Sequence, residues 1–107
     1  MNNREGKRDA PCVIVDKLPF KAPAGHAIFH RGADGGFLGV TFGCPCGCGA
    51  YHGGKFAGPN SWGFDGNVDK PTVTGSFGCN PRPGSPAGPD GKYHWHGFLK
   101  AGTFEEC

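Results

Sequence analysis

The sequence predicts a small all-β domain, because it is rich in residues that break helices, its apolar runs are short and it shows no helical period. Its 107 residues include 21 glycines and 10 prolines, about double the usual share. Glycine costs extra backbone entropy in a helix, and proline lacks the N–H that the helix interior needs. No long stretch repeats apolar side chains every 3.6 residues. We therefore expect mostly antiparallel short strands and Gly/Pro-rich loops, arranged as a small sandwich or sheet.

Short runs of β-branched or aromatic residues mark the expected strands. The clearest run is 37–42, Phe-Leu-Gly-Val-Thr-Phe, which leads the chain directly towards Cys44. Three Asp-Gly pairs, at 34–35, 65–66 and 90–91, favour tight turns because both residue types tolerate the left-handed backbone region. In chain order, the expected strands are 12–15, 26–30, 37–42, 71–77, 93–99 and 102–107.

The chain is expected to form one domain over residues 11–107, preceded by a flexible, polar arm over residues 1–10. No repeat of a solenoid period is present. Only 36% of the residues are hydrophobic, so the core is expected to be thin. Small domains with thin cores usually need a covalent or metal staple.

The segment Cys44-Pro45-Cys46-Gly47-Cys48 is the strongest candidate for that staple. Thiols at i, i+2 and i+4 do not readily form disulfides with one another, because a disulfide needs a specific Cα separation. Zn²⁺ accepts tetrahedral sulfur and nitrogen ligands, so the spacing indicates a metal site. The order Cys-x-Cys-x-Cys does not match the Cys-x-x-Cys of familiar zinc fingers. Disulfides to the distant Cys12, Cys79 and Cys107 are the alternative.

Further ligands come from the second half of the chain. Cys79 ends an expected strand, and His94 and His96 would lie on one face of another. The leading hypothesis is one zinc ion held by cysteines of the 44–48 segment together with Cys79 and His96. The alternative is a non-haem iron enzyme, in which His94 and His96 join one carboxylate. The candidates for that carboxylate are Asp65, Glu105 and Glu106.

Several other classes of function find little support in the sequence. The net charge is only +2, with no basic stripe, so a nucleic-acid-binding zinc module is the weakest alternative. The first ten residues have no apolar core of a secretory signal, and the longest clean apolar run, 12–15, is too short to span a bilayer. No Ser/His/Asp order, nucleophile elbow or phosphate-binding loop is recognisable.

Several motifs together resemble a family of small uncharacterised phage and prophage proteins. The matching segments are 36–42, the Cys-Pro-Cys-Gly-Cys-Gly run at 44–49, 61–67, 70–74, Ser76, Cys79 and 94–102. The resemblance covers roughly residues 11–107. Such proteins often carry the automatic label "ammonia monooxygenase", which does not fit a chain without a spanning segment, because that enzyme is a multi-subunit membrane protein.

The resemblance implies a zinc-type site on Cys44, Cys46, Cys48, Cys79 and His96, and it implies no established reaction. In this chain a proline-rich loop is inserted between Cys79 and His96. We therefore expect an accessory or virion-associated structural protein that binds other protein subunits, including phage structural proteins. It would be found in the host cytoplasm and the virion, and its composition would suit a homo-oligomer.

Overall fold

The computed structural model describes residues 8–59, 61–79 and 95–107, with only the backbone of Cys79. These residues form two β-sheets and no helix, which confirms the all-β prediction. The five-stranded sheet has the order β1-β9-β8-β7-β6, and the four-stranded sheet has the order β2-β3-β4-β5. All pairings are antiparallel except β2 with β3. The strands are β1 (Ala10–Pro11), β2 (Val13–Ile14), β3 (His26–Arg31), β4 (Phe37–Gly43), β5 (Tyr51–Lys55), β6 (Gly63–Phe64), β7 (Val73–Cys79), β8 (Trp95–Lys100) and β9 (Thr103–Glu106).

The β3–β4 hairpin forms where the Asp-Gly signal predicts a turn. Gly35 has a φ of 86°, a left-handed conformation that L side chains rarely adopt. The backbone N–H of Gly36 donates to Asp34 Oδ1 at 2.9 Å, which closes an Asx turn. Along β4, Val40 and Phe42 are buried and Thr41 between them is half-buried, as expected for a strand with one face in a core.

Aromatic rings join the two sheets into a sandwich. Phe42 of the four-stranded sheet lies 4.6 Å from Phe104 and 4.9 Å from Phe77 of the other sheet, measured between ring centroids. Trp95 and Leu99 are fully buried beside them. Glycine-rich strands contribute little side-chain volume, so these few rings supply much of the apolar burial that stabilises the fold.

The beginning of the described chain is attached to its last strand. Glu106, only 6% exposed, accepts hydrogen bonds from the backbone N–H of Arg8 at 2.8 Å and from Arg8 Nε at 3.0 Å. The indole N–H of Trp95 donates to the Arg8 carbonyl at 2.8 Å. The predicted flexible arm lies mostly outside the described residues, since 1–7 are not among them, and Arg8 itself is held against β9.

The predicted strands in the described part of the chain are found, with boundaries that move by a few residues. Three strands were missed: β1, β5 and β6. Of these, β5 reads Tyr-His-Gly-Gly-Lys, whose glycines disfavour a strand locally. It forms because β4 pairs with it along its whole length, from Gly39 with Lys55 to Gly43 with Tyr51. The turn predicted at 90–91 lies outside the described residues. Within the described part, no helix could cross a bilayer.

Candidate functional site

Three cysteine side chains meet in the loop that follows β4. The ligand atoms of Cys44, Cys46 and Cys48 all lie within 4.8 Å of one another, and Cys44 Sγ is 3.3 Å from Cys46 Sγ. Burial decreases along the loop, from the buried Cys44 to the exposed Cys48. Gly47 allows the turn, with a φ of 88° and a backbone N–H that donates to the Cys44 carbonyl at 2.9 Å. This cluster could hold a metal ion.

Burial and neighbouring groups shift the pKa values of two side chains in and beside the loop. Burial raises the pKa of the Cys46 thiol to about 12, with a further contribution from its hydrogen bond with Cys44. The pKa of the Arg8 guanidinium is raised, chiefly by its hydrogen bond to Glu106 and also by the thiolates of Cys46 and Cys44, so Arg8 lies near the loop. Without a cation the Cys46 thiol holds its proton at neutral pH, and metal binding would displace that proton.

The structure brings three of the five predicted ligands together among the residues that it describes. Among the described residues, only the cysteines of the loop lie within that 4.8 Å group. His96 lies on β8, half-buried between the buried Trp95 and Gly97. The Cys79 backbone pairs with Trp95, while its side chain and the whole of His94 lie outside the described part. The assignments of Cys79 and His96 as ligands therefore stay predictions.

A second group of side chains that could take part in catalysis, a hydroxyl, an imidazole and a carboxylate, lies on the five-stranded sheet. Phe77, Trp95 and Phe104 point into the core, with exposures of 2%, 0% and 0%. Because successive side chains in a regular strand point to opposite faces, the neighbours His96 and Glu105 belong to the outer face, and Ser76 directly precedes the inward-pointing Phe77. The three residues are half-buried, on the adjacent strands β7, β8 and β9.

The strand register places His96 diagonally between the other two residues. His96 pairs with Gly78 of β7, so Ser76 lies two residues further along that strand. On the other side, the Cys107 N–H donates to the His96 carbonyl at 2.8 Å, so Glu105 also lies two residues away. Diagonal neighbours in a sheet are roughly 7–8 Å apart at Cα and closer at Cβ, which is within reach of long side chains. The register therefore places an imidazole and a carboxylate diagonally on neighbouring strands, with a hydroxyl on the third strand and Phe98 directly opposite Glu105.

The backbone around Ser76 is irregular. The β7–β8 register shifts between Val73 and Phe77, and Gly75 has a φ of 107°. The indole N–H of Trp62 donates to the Ser76 carbonyl at 2.9 Å, and a Cβ atom on Gly75 would lie 3.0 Å from the Trp62 ring. Bulges commonly re-aim a side chain beside an active site, and here Trp62 holds the bulge in place.

A hydroxyl, an imidazole and a carboxylate in this order can form a nucleophilic triad. Ser76 was not predicted as a nucleophile, because the three residues are spread over 30 positions and no local motif joins them. The sequence does contain one indication of this group. Each of the three residues directly precedes or follows a large aromatic residue in an expected strand, so polar and aromatic side chains alternate there.

Comparison with known proteins gives a family. Residues 14–107 match the model of the family described as bacterial ubiquitination-like system serine protease (BubE). The chain belongs to the BubE family. No curated protein and no solved structure matched the chain. The expectation of a phage accessory or virion structural protein was wrong, because the BubE match covers nearly the whole chain. The family's description as part of a ubiquitination-like system agrees with the expected protein partners and gives no support to phage structural proteins among them.

Proposed function

We propose that this BubE-family chain is a serine hydrolase that cleaves polypeptide substrates in a bacterial ubiquitination-like system. In this proposal Ser76 is the nucleophile, His96 is the general base and Glu105 orients the imidazole. The observation that supports the assignment is that these three half-buried residues lie on the adjacent strands β7, β8 and β9. The family description supplies the reaction class.

The chemistry follows from the three side chains. As Ser76 Oγ attacks the substrate carbonyl carbon, its proton passes to the His96 imidazole, and the Glu105 carboxylate stabilises the resulting imidazolium. His96 then protonates the leaving group, and the carbonyl carbon stays bound to Ser76 as an ester. A water molecule, deprotonated by His96, attacks that ester and regenerates the Ser76 hydroxyl.

The test is covalent labelling with a fluorophosphonate probe, read by intact mass and peptide mapping. We expect one adduct per chain, on Ser76. Ser76→Ala should abolish the adduct, and His96→Ala should slow labelling by at least about a thousandfold, because the hydroxyl loses its base. Ser61→Ala is the matched control and should label at the wild-type rate. An adduct that persists in folded Ser76→Ala protein would refute the assignment.

We also propose that the cysteine loop holds one zinc ion, with Cys79 as the fourth ligand. Three observations support Cys79. Its backbone pairs with Trp95, the Trp95 indole contacts Arg8, and Arg8 lies near the loop thiols. A closed four-thiolate site would be structural, joining the end of β4 to the end of β7. Zinc would then stabilise the fold on which Ser76 is carried, without taking part in the reaction.

Elemental analysis of purified protein tests this site. We expect about one zinc ion per chain, lost in Cys46→Ser and in Cys79→Ser but retained in Cys12→Ser, because Cys12 lies outside the loop. Removing zinc with a chelator should lower the melting temperature. A Cys46→Ser protein that keeps both its zinc and its melting temperature would contradict the proposal.

A further inference from the structure

The outer edge of β5 (Tyr51–Lys55) has no neighbouring strand among the described residues. Hydrogen bonds just outside this strand fix the direction of its backbone groups. The Ala50 carbonyl accepts from the Cys44 N–H at 2.9 Å, and the Phe56 N–H donates to the Leu38 carbonyl at 2.9 Å, both towards the β4 side. Backbone groups alternate in direction along an antiparallel strand. The odd-numbered residues of β5 therefore point their N–H and C=O groups away from β4.

The open edge is short and closed at one end. Tyr51 and Gly53 each present an N–H and a C=O to the outside. The Lys55 carbonyl accepts from the Trp62 N–H at 2.8 Å, so the chain at Trp62 lies against the edge there. A strand added to β5 can pair with Tyr51 and Gly53 but must stop beside Lys55.

A positive charge lies at the closed end. The Lys55 side chain is exposed, and its Nζ is 4.0 Å from the position that a Cβ atom of Gly58 would take, so the ammonium group lies near the following turn. No carboxylate of the described residues forms an ion pair with Lys55. An ammonium group beside the point where an added strand must end suits a terminal carboxylate.

A hollow of about 560 Å³ adjoins the same edge. Gly39 and Gly53 leave its floor without side chains, and His30, Thr41 and Lys55 are among its lining residues. His30 Nε2 lies 2.8 Å from Thr41 Oγ1, which orients the imidazole. A side chain next to Gly53 on an added strand would have room to enter this hollow.

We infer that the β5 edge binds the C-terminal tail of an extended polypeptide. The tail adds as a strand parallel to β5, its backbone pairs with Tyr51 and Gly53, and its terminal carboxylate meets Lys55. One side chain of the tail enters the glycine-floored hollow. This site belongs to the four-stranded sheet, whereas Ser76 belongs to the other sheet. The inference therefore goes beyond the proposed hydrolase function and does not depend on it.

The test uses two synthetic probes, acetyl-Ala-Val-Leu-Ala-Val with a free C-terminal carboxylate and the same peptide with a C-terminal carboxamide. Binding is followed by ¹⁵N-resolved NMR titration of the full chain. We expect the acid to shift the amide signals of Tyr51, Gly53 and Lys55, and the carboxamide to bind about tenfold more weakly. Equal affinity of the two peptides, shifts confined to other strands, or no binding at millimolar concentration would each overturn the inference.

Two kinds of variant separate the contribution of the Lys55 charge to peptide binding from the contribution of backbone pairing with β5. Lys55→Gln should remove the preference for the acid. Tyr51→Pro removes an outward N–H and should weaken both peptides, while Tyr51→Ala keeps that N–H and serves as its control. Sedimentation velocity distinguishes another occupant: a dimer that Tyr51→Pro converts to a monomer would show that a second copy covers the edge, which would refute binding of a tail.

Discussion

The two sheets of the sandwich differ in how they carry chemistry on their outer faces. The five-stranded sheet presents Ser76, His96 and Glu105, each beside a bulky residue anchored in the core. The four-stranded sheet has a floor of glycines, and no strand of the described residues pairs with the outer edge of β5, so this sheet presents mainly backbone. In our two proposals, the anchored side chains carry out a reaction and the exposed backbone binds another chain.

Removing the ring contact between the sheets should have the largest effect. Phe104→Ala empties the space beside Phe42, 4.6 Å away between ring centroids, and should lower the free energy of unfolding by about 3–5 kcal/mol. Urea denaturation measures the loss. Phe98→Ala, on the outer face of the neighbouring strand β8, is the control and should cost less than about 1 kcal/mol. Similar losses in both variants would show that the ring contact does not hold the sheets together.

Substituting one glycine in each sheet tests how closely the glycine-containing strands of the two sheets are packed. A Cβ atom at Gly54 would lie 2.8 Å from the Trp62 ring and 3.1 Å from the Phe77 ring, whereas at Gly63 its nearest neighbour is Thr74 Cβ at 3.3 Å. We expect Gly54→Ala to cost about 1–3 kcal/mol through overpacking, and Gly63→Ala less than about 1 kcal/mol. The midpoints of thermal unfolding give the ranking, and the reverse order would contradict it.

The smallest expected effect concerns Cys12, which connects β1 of the five-stranded sheet to β2 of the four-stranded sheet. Burial raises the pKa of the Cys12 thiol from 9.0 to about 11. The unfolded chain loses this proton at lower pH than the folded one, so the stabilisation is complete below pH 9 and is lost as the pH rises to about 11. Cys12→Ala should make unfolding less sensitive to pH in that window, by about 1 kcal/mol after allowance for partial exposure. Identical pH profiles of the two proteins, measured by urea denaturation, would disprove the shift.

Local sequence predicted much of the fold but little of the reaction. The β-branched run in β4 and the Asp34-Gly35 turn were recognisable because their residue types favour those conformations by themselves. The cysteine loop was also recognisable, since its three thiols are neighbours along the chain. The interpretation as a phage structural protein was wrong because it used the cysteine motif and a resemblance that includes Ser76 only as a matching position, with no role assigned to it.

The sequence alone determined an all-β chain with a thiol cluster, because strand propensity, turn formation and ligand spacing are local properties. Only the tertiary structure decided that Tyr-His-Gly-Gly-Lys forms an edge strand, since pairing with β4 outweighs its weak propensity. It also decided which side chains share a face. The positions of Ser76, His96 and Glu105 depend on strand register, and register is set by long-range hydrogen bonds and core packing.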